Sequence, residues 1–251
     1  MRESTILICC IVLSFLNNLI AQLTMKNKFS HLVDLTHTIH EDIPTWSGES
    51  DFSMLLTSDY DKLFRTQEFC CVGGLGTHMD APAHIIKKGK AIAELPLESL
   101  IAPAHILYIN TQQEADYAFT IQDIKSYEDK HGAITPKSLV ILYSGWGEKW
   151  ANSQEYRNPD KNNILHFPRL SEEAALYLLE KDIAGIAVDT LSPDGSDYNF
   201  PVHKLLLEKN KIIIENLVYK AGLPEIGPTL ICLPLKLQDG TESPARVVLA
   251  W

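Results

Sequence analysis

Several features are scarce or missing, and each absence excludes something. Five cysteines occur, Cys9, Cys10, Cys70, Cys71 and Cys232, and no two form a Cys-x-x-Cys pair, which argues against a thiolate zinc site. There are no internal repeats, low-complexity tracts or Pro/Ser-rich linkers, so repeat arrays and beads joined by flexible tethers are excluded. Basic residues are in the minority, 22 Lys and Arg against 32 Asp and Glu, for a formal net charge of −10. A surface of that sign repels phosphate backbones and argues against a nucleic-acid partner. Beyond residue 22 no apolar run approaches the roughly 20 residues a membrane-spanning helix needs.

One apolar run stands at the start. Residues 6–16 read ILICCIVLSFL, with Arg2 before them and Asn17, Asn18 and Ala21 after. That run is too short to span a bilayer and has the length of a signal-peptide core. It predicts a signal peptide over 1–22, cleaved near Ala21, and a secreted chain free of the membrane after cleavage. Cys9 and Cys10 leave with it. Of the remaining thiols, Cys70 and Cys71 are neighbours that rarely bond to each other. A pairing of either with Cys232 stays open, and the simpler expectation is that all three are small buried hydrophobes.

What is present is ordinary globular material: 251 residues, 45% hydrophobic and 22% charged. It predicts one domain over 29–251, long enough to bury a large core. Strands are expected at His31–Leu35, Ile106–Asn110, Leu139–Tyr143, Ile183–Asp189, Lys211–Glu215, Leu230–Pro234 and Arg246–Leu249. Helices are expected at Thr120–Lys130 and Ser171–Glu180, each opened by a hydroxyl cap, with a third beginning at His203. Asp239-Gly240 marks a turn between the last two strands, and Trp146–Pro168 reads as loop over a site. Strands alternating with helices predict an α/β fold with some parallel pairing.

The chemistry gathers in Gly73–His84, GGLGTHMDAPAH. His78 and Asp80 are two apart, so an extended backbone points both to one face. Pro82 ends regular pairing just after them, and His84 follows in a turn. Imidazole beside carboxylate suits zinc or manganese. A histidine a few residues away suits general acid/base work beside such an ion. Glu215 closes the apolar run KIIIE, where a buried acid needs a cation or a strong donor. His31, His105, His131 and His166 read as structural or surface residues, and Arg246 as the partner of a buried or interfacial carboxylate.

The string GTHMDAPAH resembles the hallmark H-x-G-T-H-x-D-x-P-x-H of the cyclase superfamily, the group that contains bacterial kynurenine formamidases and isatin hydrolases. Other segments resemble it too: VDLTHTIHEDIPTWSG (33–48), VILYSGW (140–146), GIAVDTLSPD (185–194) and FPVHKLLL followed by IIIENL. PLKLQDGTESPARVV (234–248) resembles the closing pattern P-x-K-x-x-x-G-x-G-x-P-x-R. The resemblance covers almost everything from residue 31 onward. It implies the family's swivelling β/α arrangement, an α/β fold with a mixed β-sheet and packed helices, assembled as a homodimer or homotetramer. It implies that His78 and Asp80 are metal ligands, Asp80 able to bridge two ions, and that His203 and Glu215 serve a second metal position. It further implies His84 as the catalytic acid/base and Trp46 as an aromatic wall for substrate. The cofactor implied is zinc, alternatively manganese, as one or two ions.

One departure stands out. The first histidine of the hallmark falls at Gly74, which has no side chain to offer. The expectation is therefore a weakened metal site, with His37 and His40 as the nearby histidines able to substitute. The activity expected is hydrolysis of a carbon–nitrogen amide bond in a small aromatic substrate, as in N-formylkynurenine breakdown to kynurenine. The alternatives are opening of a cyclic amide of the isatin type, or a secreted, non-catalytic protein on the same fold.

Overall fold

The computed structural model describes residues 29–109 and 114–251. The expected signal peptide over 1–22 lies outside the described residues, as does Asn110. The strands are β1 (Leu32–Asp34), β2 (Phe52–Ser58), β3 (Thr66–Cys71), β4 (His78–Asp80), β5 (Ile101–Tyr108), β6 (Ala118–Phe119), β7 (Leu139–Tyr143), β8 (Arg169–Leu170), β9 (Gly185–Val188), β10 (Ile212–Glu215), β11 (Ile226–Pro234) and β12 (Glu242–Ala250). The helices are α1 (Leu97–Leu100), α2 (Ile121–His131), α3 (Ser153–Arg157), α4 (Glu172–Glu180) and α5 (Pro201–Glu208).

Eight strands form one mixed sheet in the order β1-β12-β11-β5-β7-β9-β10-β4. β5, β7, β9 and β10 run parallel, and the other pairings are antiparallel. The sheet closes because β4 also pairs with the first residues of β12. The result is a barrel, with β1 on the rest of that β12 edge. The α/β expectation holds, as one domain with a mixed sheet.

Alternation along the strands divides the core. Leu139, Ile141 and Tyr143 of β7, Met79 of β4, Ile212 and Ile214 of β10, and Val247 and Leu249 of β12 fill the barrel. Val140, Leu142, Ile186 and Ile213 face outward onto α2, α4 and α5, meeting Ile124, Ala174, Leu178, Val202 and Leu206. By the same parity His78, Asp80 and Glu215 stand on the outer face, where α5 packs. α2 and α4 begin at the expected caps: Thr120 Oγ1 accepts from the Asp123 N–H at 3.2 Å, and Ser171 Oγ from that of Ala174 at 3.2 Å.

Some expectations are corrected. Trp146–Pro168 is not merely loop: it includes α3, and Trp146, Tyr156 and Phe167 are buried together as a small aromatic core. β5, β11 and β12 begin earlier than expected, because Pro103, Gly227, Pro228 and Pro244 look like strand breakers in one dimension. Each is accommodated, β11 by a register irregularity between Ile226 and Thr229, opposite Pro103. The β2–β3 hairpin was not anticipated. The three described thiols are free; Cys232 is buried, as expected, but Cys70 is exposed on β3. Arg246 does pair with a carboxylate, Asp34, at 2.7 Å, yet the pair is exposed rather than buried.

Candidate metal centre

β4 carries the centre. It is three residues long and lies between β10 and β12. Met79 points into the barrel, which turns both His78 and Asp80 to the opposite face. The register sets Glu215 of β10 directly across from His78, and Glu242 of β12 directly across from Asp80. Directly opposed residues of antiparallel strands project on the same side, so all four side chains share one face. α5 lies over that face and supplies His203 from its first turn.

The four residues expected as metal ligands converge. His78 Nε2 lies 3.3 Å from Glu215 Oε2 and 3.6 Å from Asp80 Oδ1. His203 Nε2 lies 3.3 Å from Glu215 Oε1 and 3.4 Å from Asp80 Oδ2. Each imidazole thus meets one oxygen from each carboxylate, and both carboxylates lie between the two rings. All four residues are buried.

The remaining ring nitrogens are committed elsewhere. His78 Nδ1 donates to the Gly76 carbonyl at 2.9 Å, and His203 Nδ1 donates to Asp194 Oδ2 at 2.6 Å. That leaves both Nε2 atoms facing the carboxylates, the arrangement in which a metal-binding histidine is held from behind. Gly76 sits at φ +61°, a left-handed conformation suited to glycine. Its carbonyl also accepts from Asn216 Nδ2 at 2.9 Å, which ties the loop before β4 to the end of β10.

Charge is balanced tightly. Burial disfavours a charged His78, but the Glu215 and Asp80 carboxylates outweigh it and push the imidazole up to about 9. His203 is raised as well, with burial overcome by Asp194, Asp80 and Glu215. For Asp80, burial is overcome by the two imidazoles, which hold it below its ordinary value. Even so, Asp80 Oδ1 and Glu215 Oε1 are buried and accept no hydrogen bond among the described residues. Buried polar atoms normally have partners. Two bare carboxylate oxygens beside two pre-oriented imidazoles are a donor set that fits a divalent cation.

A cavity of about 290 Å³ opens over this cluster. His84 reaches it from the single 3-10 turn Pro82–His84, with Nδ1 3.3 Å from Glu242 Oε2. Trp46 lines the cavity, 38% exposed, with ring centroids 5.5 Å from Tyr198 and 5.9 Å from Phe200. His37 and His40 do not line it. His37 is stacked on Trp150 at 3.8 Å, and burial lowers its pKa to about 4.

Sequence reasoning passed over three residues. Asp194 holds His203. Phe200 stands edge-on to His203 at 5.8 Å and lines the cavity. Glu242 enters the cavity from β12. Asp194 and Phe200 were within segments quoted for the resemblance, and the closing pattern has a glycine where Glu242 stands.

Fold and site together define a barrel-centred α/β protein with a carboxylate–imidazole centre on the barrel's outer face. The profile of the family described as "Putative cyclase" matches residues 33–195. Isatin hydrolase of Roseibium aggregatum is 32% identical over 185 residues, covering 69% of this chain and 70% of the relative. Kynurenine formamidase of Bacillus anthracis is 29% identical over 231 residues, covering 88% of this chain and 98% of the relative. Among solved structures, isatin hydrolase A from Ralstonia solanacearum superimposes with a TM-score of 0.83 at 27% identity, over 93% of this chain and 96% of that one. A predicted metal-dependent hydrolase from Bacillus stearothermophilus superimposes with a TM-score of 0.68 at 27% identity, over 87% of this chain and 97% of that one. The chain belongs to the cyclase family.

Proposed function

We propose that the protein is a metal-dependent hydrolase that cleaves a carbon–nitrogen amide bond in a small aromatic substrate, with N-formylkynurenine as the leading substrate. The observation that carries this reading is the placement of Asp80 and Glu215 between the Nε2 atoms of His78 and His203. His78, Asp80, His203 and Glu215 hold zinc, alternatively manganese, as one or two ions. A bound divalent ion lowers the pKa of its water to about 7 and polarises the substrate carbonyl.

The chain's own residues do the rest. His84 lies on the cavity wall, outside the buried imidazole–carboxylate set, where it takes a proton from the attacking water and returns one to the departing nitrogen. Trp46 and Phe200 offer flat apolar surface to an aromatic ring. Asp194 keeps His203 turned toward the carboxylates.

Opening of a cyclic amide is the second reading, favoured by the likeness to isatin hydrolases in sequence and structure. Both reactions put water on a carbonyl joined to an amide nitrogen that an aromatic ring carries, so one centre serves either. The deciding experiment loads the purified protein with zinc or manganese and follows hydrolysis of N-formylkynurenine and of isatin. Turnover of either supports the amidohydrolase. Turnover of neither by metal-loaded protein overturns it in favour of a non-catalytic role.

Assembly and location belong to the same proposal. Met54, Leu55, Leu56, Phe64 and Phe69 are exposed on and beside the β2–β3 hairpin, a two-stranded unit that is marginal alone. This supports a homodimer or homotetramer. The apolar run at 6–16 supports export and secretion. Among the described residues no helix is long and apolar enough to cross a membrane.

A further inference from the structure

Glu242 reaches the cavity across two glycines. A Cβ on Gly73 would lie 2.5 Å from Glu242 Cγ and 3.0 Å from its backbone oxygen. A Cβ on Gly74 would lie 3.1 Å from Glu242 Oε2 and 3.5 Å from His78 Nε2. The side chain therefore runs where side chains at 73 and 74 would begin, and it ends beside the His78 ring.

Its neighbours are ligand groups. Glu242 pairs directly with Asp80 across the β4–β12 ladder. One ligand atom from each of Asp80, His84 and Glu242 lies within 4.8 Å of the others. Asp80 Oδ1, fully buried, accepts no hydrogen bond among the described residues. With Glu215, three carboxylates gather beside the imidazoles, Asp51 is a fourth on the cavity wall, and neither Lys nor Arg is among its lining residues. Like charges gathered in a partly buried space repel each other unless a cation lies between them.

Two departures from the family pattern are therefore spatial neighbours. The hallmark has histidine where this chain has Gly74, and the closing pattern has glycine where it has Glu242. We propose that Glu242 is a metal ligand, supplying from β12 the donor that position 74 lacks, beside His78 and Asp80. The assignment rests on the metal-hydrolase reading and adds to it a carboxylate in place of an imidazole.

The test is binding of Mn²⁺ and Zn²⁺ alone to the metal-stripped protein, measured by calorimetric titration, with thermal unfolding to verify folding. Glu242→Gln and Glu242→Gly should each weaken binding by about tenfold or more. The double variant Gly74→His/Glu242→Gly should recover most of that loss, because it moves the donor back across the same space. Glu242→Asp, which keeps the charge but shortens the reach, should also bind more weakly if either replacement fails to fold. Wild-type affinity in Glu242→Gln would overturn the assignment and leave Glu242 as a partner of His84 only. A wild-type protein that takes up no ion would instead defeat the underlying metal reading, and this assignment with it.

Discussion

His203 donates its Nδ1 hydrogen to Asp194 Oδ2 across 2.6 Å, and the same carboxylate caps the helix that carries His203. Asp194 accepts from the Val202 N–H at 2.7 Å and the His203 N–H at 3.2 Å. One buried side chain thus caps α5 and orients its histidine. Asparagine caps about as well as aspartate, but it has no charge with which to strengthen the imidazole. Asp194→Asn should therefore shift the melting temperature little while weakening metal binding about 10–100-fold. Melting curves beside metal titrations check this. Unaltered metal binding would restrict Asp194 to the cap.

In the proposed reaction His84 moves protons and does not hold the metal. His84→Ala should lower the hydrolysis rate by about 10²–10⁴-fold and leave metal content close to wild type. Elemental analysis of the purified variant alongside the rate decides. Loss of metal together with activity would make His84 a ligand rather than the acid/base.

The substrate wall gives a third expectation. Trp46→Ala removes a half-exposed ring that only lines the cavity, so KM should rise with kcat nearly unchanged. Steady-state kinetics with an aromatic amide check it. A fall in kcat at constant KM would place the tryptophan's effect in the transition state instead.

The pH dependence has a definite sign. In the metal-stripped chain His78 rises from its ordinary 6.5 to about 9, so the folded state holds a proton that the unfolded state releases. That stabilisation is complete below about pH 6.5 and disappears as pH climbs through about 9. The melting temperature of stripped protein should fall across this window. The stabilisation added by metal should grow over the same range, because protons no longer compete for the imidazoles. Thermal unfolding with chelator and with Mn²⁺, at several pH values, tests both. A stripped-protein curve flat from pH 6.5 to 9 would contradict the pairing of His78 with Glu215 and Asp80.

Breaking the buried cluster should be costly. Glu215→Ala leaves His78 and His203 with one fewer compensating carboxylate in a buried setting. A loss of about 3–5 kcal/mol is expected for stripped protein, read by denaturant unfolding. A change near zero would mean that Asp80 alone balances both rings.

Local rules account for much of what was legible beforehand. His78 and Asp80 could be placed on one face because strands alternate with period two. Thr120 and Ser171 announced their helices because a hydroxyl satisfies the first free amides. Glu215 was conspicuous because an acid at the end of KIIIE is out of character for a buried strand. Other features needed the third dimension. Proline reads as a strand breaker along the chain, so Pro244 hides the fact that Glu242 belongs to the last strand. In the structure Pro244 lies within β12, opposite His78, and so Glu242 is a strand residue beside Asp80.

The sequence by itself determined the residue types, the faces they occupy and the family, because each is written in short spacings along one segment. It also showed glycine at position 74, where the family hallmark has histidine. Only the tertiary structure showed that Glu242 occupies the space beside it. Residues 74 and 242 lie at distant points of the chain, and barrel closure through the β4–β12 ladder brings them into contact. A pairing of that kind leaves no periodic trace in the sequence, since it depends on which strand edges meet.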